Sequence, residues 1–189
     1  MKVLFINNTE KEEILRSSSR IVTNEDFSVN NVEKIIKKLQ DTLTYYGNGV
    51  WFSAVQIWYP LQIFVINCRP TESFPNMQAF SQVIINPIVT QYSDKTFDGR
   101  EWCMSIADKE CIPQHRYQVK RSTSITFDYT DEHSIRYESM SLSGLPAVVF
   151  QHEYDHLFGH LIDEVVLSGQ IITQEEYLKR KKHWEAMTL

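Results

Sequence analysis

The stretch 150-FQHEYDHLFGH-160 decides how this chain is read. His152 and His156 stand four apart, and Glu153 directly follows the first of them. Leu145, Val148, Val149, His152 and His156 step by 3, 1, 3 and 4, which predicts a helix over 145–158 with one apolar stripe. Pro146 suits its first turn and Gly159 its C-terminal stop. Positions i and i+4 are neighbours on one helix face, so both imidazoles point where the apolar residues point. Buried histidines need partners. A divalent metal accepting one nitrogen lone pair from each is one solution. Hydrogen bonds to each other, or to a carboxylate such as Asp155, are the other. With Glu153 beside the stripe, the run has the H-E-x-x-H arrangement of two ligands and a general base.

Such a centre needs a third ligand. The pattern HExxHxxGxxH would place it at position 162, which is Ile162, and His160 is out of phase. A downstream glutamate would be Glu175 or Glu176, but 172-ITQEEYLKRKK-182 reads as a solvated helix start. A cysteine is the third possibility. The chain has three, Cys68, Cys103 and Cys111, with no CxxC pair. An odd, unclustered set reads as reduced thiols rather than a disulfide framework, and each is by default a small buried hydrophobe.

Composition bounds the rest. A length of 189 residues suits one domain, 1–189, around a single core. The net charge of −5 argues against a general nucleic-acid binder, and no specific nucleic-acid site is expected. No apolar run approaches the roughly 18 residues of a membrane span. The start, MKVLFINNTEK, has too short an apolar run for a signal-peptide core of about 7–15 residues. A cytoplasmic protein without a membrane partner is expected.

Along the chain, 31-NVEKIIKKLQDTLTYY-46 has the helical period and stops at Gly47-Asn48-Gly49. Residues 50–67 read as strand, turn, strand, and 68–80 as a loop. Residues 82–90 read as a strand broken at Asn86-Pro87. Val119, Arg121, Thr123, Ile125 and Phe127 alternate with polar neighbours as in one half-buried strand, and Asp131-Glu132-His133-Ser134 suits a hairpin turn. A last helix over 174–187 starts near Thr173, with Glu176 three residues on as a capping box. Without a regular βαβ alternation, the class is α+β.

Three short motifs then converge. The chain has 49-GVWFSAVQ-56, 101-EWCMS-105 and 151-QHEYDHL-157. In this order they resemble the GxGxAAxQ, EGCLS and QHExDHL motifs of the peptide deformylases. Ile85-Asn86-Pro87 and 157-LFGHLID-163 also look similar, and the resemblance runs from about Ile14 to Val166. It implies antiparallel or mixed β-sheets around a central HExxH helix, with a C-terminal helix. It implies a metallohydrolase that takes the N-formyl group from the N-terminal methionine of new polypeptides. Cys103, His152 and His156 match the metal ligands of that family and leave the fourth tetrahedral position for water. The resemblance implies iron(II) (Fe2+) first, with Zn2+ or Ni2+ as alternatives, and a thiolate with two imidazoles is compatible with zinc or iron(II). Glu153 matches the general base. Gln56 and the backbone N–H of Met104 match the oxyanion donors. The substrate would lie as an extended strand beside the first motif, at Gly49, Val50 and Trp51, near Trp102. Its methionine would occupy a pocket lined by Val50, Leu145, Val148 and Val149, residues that also read as ordinary core.

The departures from the family pattern cluster at the site. Trp51 and Trp102 replace glycines, Ser53 replaces the usual alanine, and Val55 stands where proline or a small residue is common. Gln114 replaces an arginine that pairs with the motif-two glutamate, leaving Arg116 or Arg121 to partner Glu101. These departures keep open a different N-acyl substrate or a catalytically weak homologue that binds metal or peptide. The 179-KRKKHW-184 cluster suits a ribosome contact through the C-terminal helix, and equally a helix C-terminus favoured by its dipole.

Overall fold

The computed structural model describes residues 3, 9–46, 51–70, 75–77, 79–107 and 114–185. The first helices are α1 (Thr9–Leu15), α2 (Asn24–Ser28) and α3 (Asn31–Tyr46). Strand β1 (Trp51–Ser53) runs into a 3-10 turn, Ala54–Ile57, followed by β2 (Ile63–Cys68), β3 (Phe80–Tyr92) and β4 (Thr96–Glu101). A second 3-10 turn, Met104–Ile106, precedes β5 (His115–Ser122), β6 (Ser124–Thr130) and β7 (Arg136–Ser143). The chain ends through α4 (Leu145–Leu157), α5 (Ile162–Val165), β8 (Val166–Thr173) and α6 (Gln174–Glu185).

The strands form a five-stranded sheet, β1-β2-β3-β6-β7, and a three-stranded sheet, β4-β5-β8. Every pairing within them is antiparallel. The run IFVINC of β2 is apolar without alternation because both its faces are covered. Ile63 and Val65 pack with Val32, Ile35 and Leu39 of α3. Phe64, Ile66 and Cys68 pack with Val149, Phe150 and Leu157 of α4 on the other side. Helix α4 is buried nearly all round and touches β1, β2 and β7 of the larger sheet and β5 of the smaller. It therefore sits where the two sheets meet.

Three expectations are corrected. The 82–90 strand is longer and unbroken: Asn86 takes φ 48 in a register shift between Ile85 and Ile88, so Asn86-Pro87 makes a bulge. The Asn86 amide joins the bulge to Val22, donating to its carbonyl at 2.7 Å and accepting its N–H at 2.8 Å. The alternation over 119–127 is two strands in two sheets, β5 and β6, parted at Thr123. The turn between β1 and β2 is a 3-10 helix that carries Gln56. Gly47-Asn48-Gly49, Val50, Cys111 and Pro113 lie outside the described residues.

Candidate metal centre

The ligand candidates come from the turn after one strand and from one helix. Strand β4 ends at Glu101, and Cys103 caps the 3-10 turn that follows. His152 and His156 sit one turn apart on α4, their ring centroids 5.0 Å apart. The helix begins after Gly144 at φ 62 with Pro146 in its first turn, and Gly159 at φ 77 follows its end. At Gly159 a Cβ would stand 2.3 Å from the Arg16 carbonyl oxygen, so only glycine admits this close approach of α1.

The ligand atoms of Cys103, His152 and His156 all lie within 4.8 Å of one another, and all three residues are buried. Sγ of Cys103 is 3.2 Å from Nε2 of His156. Donor atoms of a tetrahedral ion with bonds of about 2.0–2.3 Å stand roughly 3.4–3.6 Å apart, so this triangle fits one divalent ion. A thiolate with two imidazoles suits zinc, iron or nickel.

The surroundings fix which nitrogen of His152 is available. Its Nδ1 lies 3.0 Å from Oε2 of Glu101. Arg121 holds the same carboxylate with two bonds, Nε to Oε1 at 2.9 Å and Nη2 to Oε2 at 3.0 Å, and donates Nη1 to Asp155 at 2.6 Å. Burial alone would raise the Glu101 carboxyl, but Arg121 and His152 pull it down to about 2. The charged carboxylate orients His152 through Nδ1 and leaves Nε2 for the centre. Burial, with the charges of His152 and Arg121, holds His156 well below the usual imidazole range, so it keeps a lone pair to give.

Glu153 is fully buried, and neither carboxylate oxygen makes a hydrogen bond of good geometry. Burial pushes its carboxyl up to about 7, against the opposing pull of His152 and of the nearby Ser53 hydroxyl. Gln56, 2% exposed, reaches across from the larger sheet: its Nε2 donates to Ser105 Oγ at 3.1 Å and stands 3.9 Å from Cys103 Sγ. The first N–H of a helical turn has no partner within the turn, and Met104 occupies that place directly after Cys103.

The family model described as Polypeptide deformylase matches residues 5–170. The chain belongs to the peptide deformylase family. Peptide deformylase 2 of Nostoc sp. is 31% identical over 148 residues, which is 77% of this chain and 78% of the relative. Peptide deformylase 1B, chloroplastic, of Solanum lycopersicum is 31% identical over 176 residues, 93% of this chain. This chain spans only 58% of that longer protein. Among solved structures, a ligand-bound class I type b peptide deformylase from Acinetobacter baumannii superposes with a TM-score of 0.75 at 25% identity. That match covers 88% of this chain and 98% of the other. Peptide deformylase 1B of Arabidopsis thaliana, in complex with an inhibitor, gives 0.68 at 27% identity, covering 99% and 90%.

Around this deformylase centre the other expected residues separate. Trp51 is half-buried at the start of β1, the edge strand of the larger sheet, and packs on the core beside α4. Leu145 and Val149 belong to that same core, whereas Val148 is buried outside it, one turn from His152. Trp102 lies 5.7 Å from the Arg116 guanidinium, which also stands 4.4 Å over the ring of Tyr177. Arg116 donates to Gln174 as well, so of the two candidate arginines it is Arg121 that partners Glu101. Gly49 and Val50 lie outside the described residues. Asp155 accepts from Arg121 and Glu101 serves His152, so the histidine–Asp155 alternative is not what forms. Two contacts escaped the sequence reading, those of Ser53 and Ser105 with Gln56. The only available signal was the spacing of Ser53 and Gln56, which is that of a capping box. Cys68 remains a core residue, its thiol pushed up to about 12 by burial.

Proposed function

We propose that this chain is a metal-dependent peptide deformylase that hydrolyses the N-formyl group of formyl-methionyl polypeptides newly made in the cytoplasm, releasing formate. The observation that carries the reading is one buried cluster: three convergent donors beside a buried carboxylate that no described cation pairs, in a chain of this family. Cys103, His152 and His156 hold one divalent ion, with iron(II) preferred and zinc or nickel as alternatives. When bound, the ion polarises the formyl oxygen and makes water acidic enough to ionise near neutral pH.

The chain's own residues do the rest. Glu153 takes a proton from the attacking water as oxygen adds to the formyl carbon. It then gives that proton to the amine nitrogen as the C–N bond breaks and formate leaves. A carboxyl held at about 7 suits both directions of transfer at physiological pH. Gln56 Nε2 and the Met104 N–H donate to the oxygen on which negative charge develops, each worth about 10²–10³ in rate. Among the described strands β1 lies at the edge of its sheet, and at Trp51 it offers backbone groups to an extended peptide, as strand addition requires. Gly49, Val50, Trp102, Leu145, Val148 and Val149 complete the proposed groove and methionine pocket. The cationic 179-KRKKHW-184 run on α6 is proposed to contact the ribosome.

The test is formate release from formyl-Met-Ala-Ser by anaerobically purified protein loaded with iron(II) or nickel, beside Glu153→Ala. Turnover is expected in the parent, with a loss of at least about 10²-fold in the variant. A parent carrying one metal per chain and releasing no formate would overturn the reading.

A further inference from the structure

The Gln56 side chain has two chemically opposite ends, and only one serves an oxyanion. Its NH2 donates, whereas its carbonyl oxygen would repel the charge that develops there. An amide swings between these poses unless both ends are held. Here the carbonyl end is held from one residue. Oε1 of Gln56 accepts the backbone N–H of Ser53 at 2.9 Å and lies 3.1 Å from the Ser53 hydroxyl, which donates to it. The same hydroxyl also faces Glu153, so the Gln56 NH2 signal, and not kcat alone, reports the hold on the amide. Ser53 and Gln56 are the first and last members of a capping box on the Ala54–Ile57 turn. The other end then faces Ser105 and Cys103. Ser53 and Ser105 are fully buried and Gln56 is 2% exposed, so water does not compete for these bonds. Alanine, the usual residue of the family pattern at this position, would keep the backbone bond and lose the hydroxyl.

We propose that Ser53 is a positioning residue that locks the Gln56 amide with its NH2 toward the reaction centre, so that the oxyanion donor is set before substrate arrives. The assignment rests on the deformylase reading for its purpose, but the lock itself is a property of the folded protein. A preset donor acts where charge develops, so its loosening lowers kcat and leaves substrate binding alone.

The test compares the zinc-loaded parent with Ser53→Ala by NMR of the Gln56 side-chain NH2 pair, assigned by its loss in Gln56→Glu. The same samples are assayed on formyl-Met-Ala-Ser. In Ser53→Ala the NH2 pair is expected to broaden and exchange faster with solvent. Losing one buried hydrogen bond worth about 1 kcal/mol is expected to lower kcat about five- to tenfold, with KM within about twofold. Ser53→Gly, which also lacks the hydroxyl, gives the same readouts should alanine disturb the fold. An NH2 pair identical in parent and variants overturns the assignment. A parent without turnover whose NH2 pair still responds to Ser53→Ala leaves the lock standing and removes the deformylase reading instead.

Discussion

Glu101 performs two tasks with one carboxylate. Its Oε2 is shared by Arg121 and Nδ1 of His152, while Oε1 takes the second bond from Arg121. A carboxylate 10% exposed would be costly to keep charged alone, and the two-point guanidinium contact offsets that cost. The charge then fixes the orientation of His152 and raises its basicity. Glu101→Gln keeps the size and removes the charge. It is expected to weaken metal binding about 10- to 100-fold, read by competition with a chromophoric chelator. Unchanged affinity would show that Arg121 and Asp155 alone hold the helix face in place. The partner of Glu101 was partly legible. Arg121 shares the parity of Val119 and Ile125, the inward face of the alternation, and Arg116 does not. What the sequence did not show is that one guanidinium also reaches Asp155, because that contact crosses between a strand and a helix 34 positions apart.

Among elements, legibility followed how much of each is buried on one side. Helix α3 reads cleanly because Val32, Ile35, Ile36 and Leu39 form one buried stripe against an exposed remainder. Helix α4 reads by its motif and its apolar steps. Strands β4 and β7 were missed because little of either is buried: 136-RYESMSLS-143 buries only Leu142, and 96-TFDGRE-101 only Gly99. Alternation carried the reading straight through Thr123, where the chain leaves one sheet and enters the other, since period two holds on both sides of the corner. Helix α6 starts as its capping box predicts, the Glu176 N–H donating to Thr173 Oγ1 at 3.2 Å. Its first turn also holds the site's neighbourhood, because Gln174 and Tyr177 grip Arg116, which faces Trp102. The proposed ribosome contact can therefore be tested apart from these contacts. Deleting residues 178–189 removes the cationic cluster and spares Gln174 and Tyr177. It is expected to reduce co-sedimentation with ribosomes at low salt severalfold while formate release from a short formyl peptide stays within about twofold. Co-sedimentation equal to that of the full chain would remove the ribosome as a partner of this helix.

For the whole molecule, the centre lies at the joint between two sheets. Cys103 arrives from the three-stranded sheet, Gln56 from the five-stranded one, and the two histidines from the helix packed against both. No described helix is long and apolar enough to cross a membrane. At the centre itself packing contributes little. Cys103 belongs to a small cluster with Val119 and Ile162, set apart from the two large cores on β2. An ion bound there ties the small cluster to α4, and its binding free energy adds to folding. At free metal about a hundredfold above Kd, linkage gives about 2.7 kcal/mol. For a chain of this size that corresponds to a fall of roughly 5–11 °C in Tm on chelation. The loss should not be uniform. Amide exchange is expected to rise at the end of β4, in the Met104–Ile106 turn and along β5, whereas β2 and residues 83–85 of β3, covered on both faces, keep their protection. Equal Tm values with and without chelator, for protein shown to bind one metal, would mean the two sheets are joined by α4 alone. The three donors would then be a preformed triangle that holds its shape without the ion.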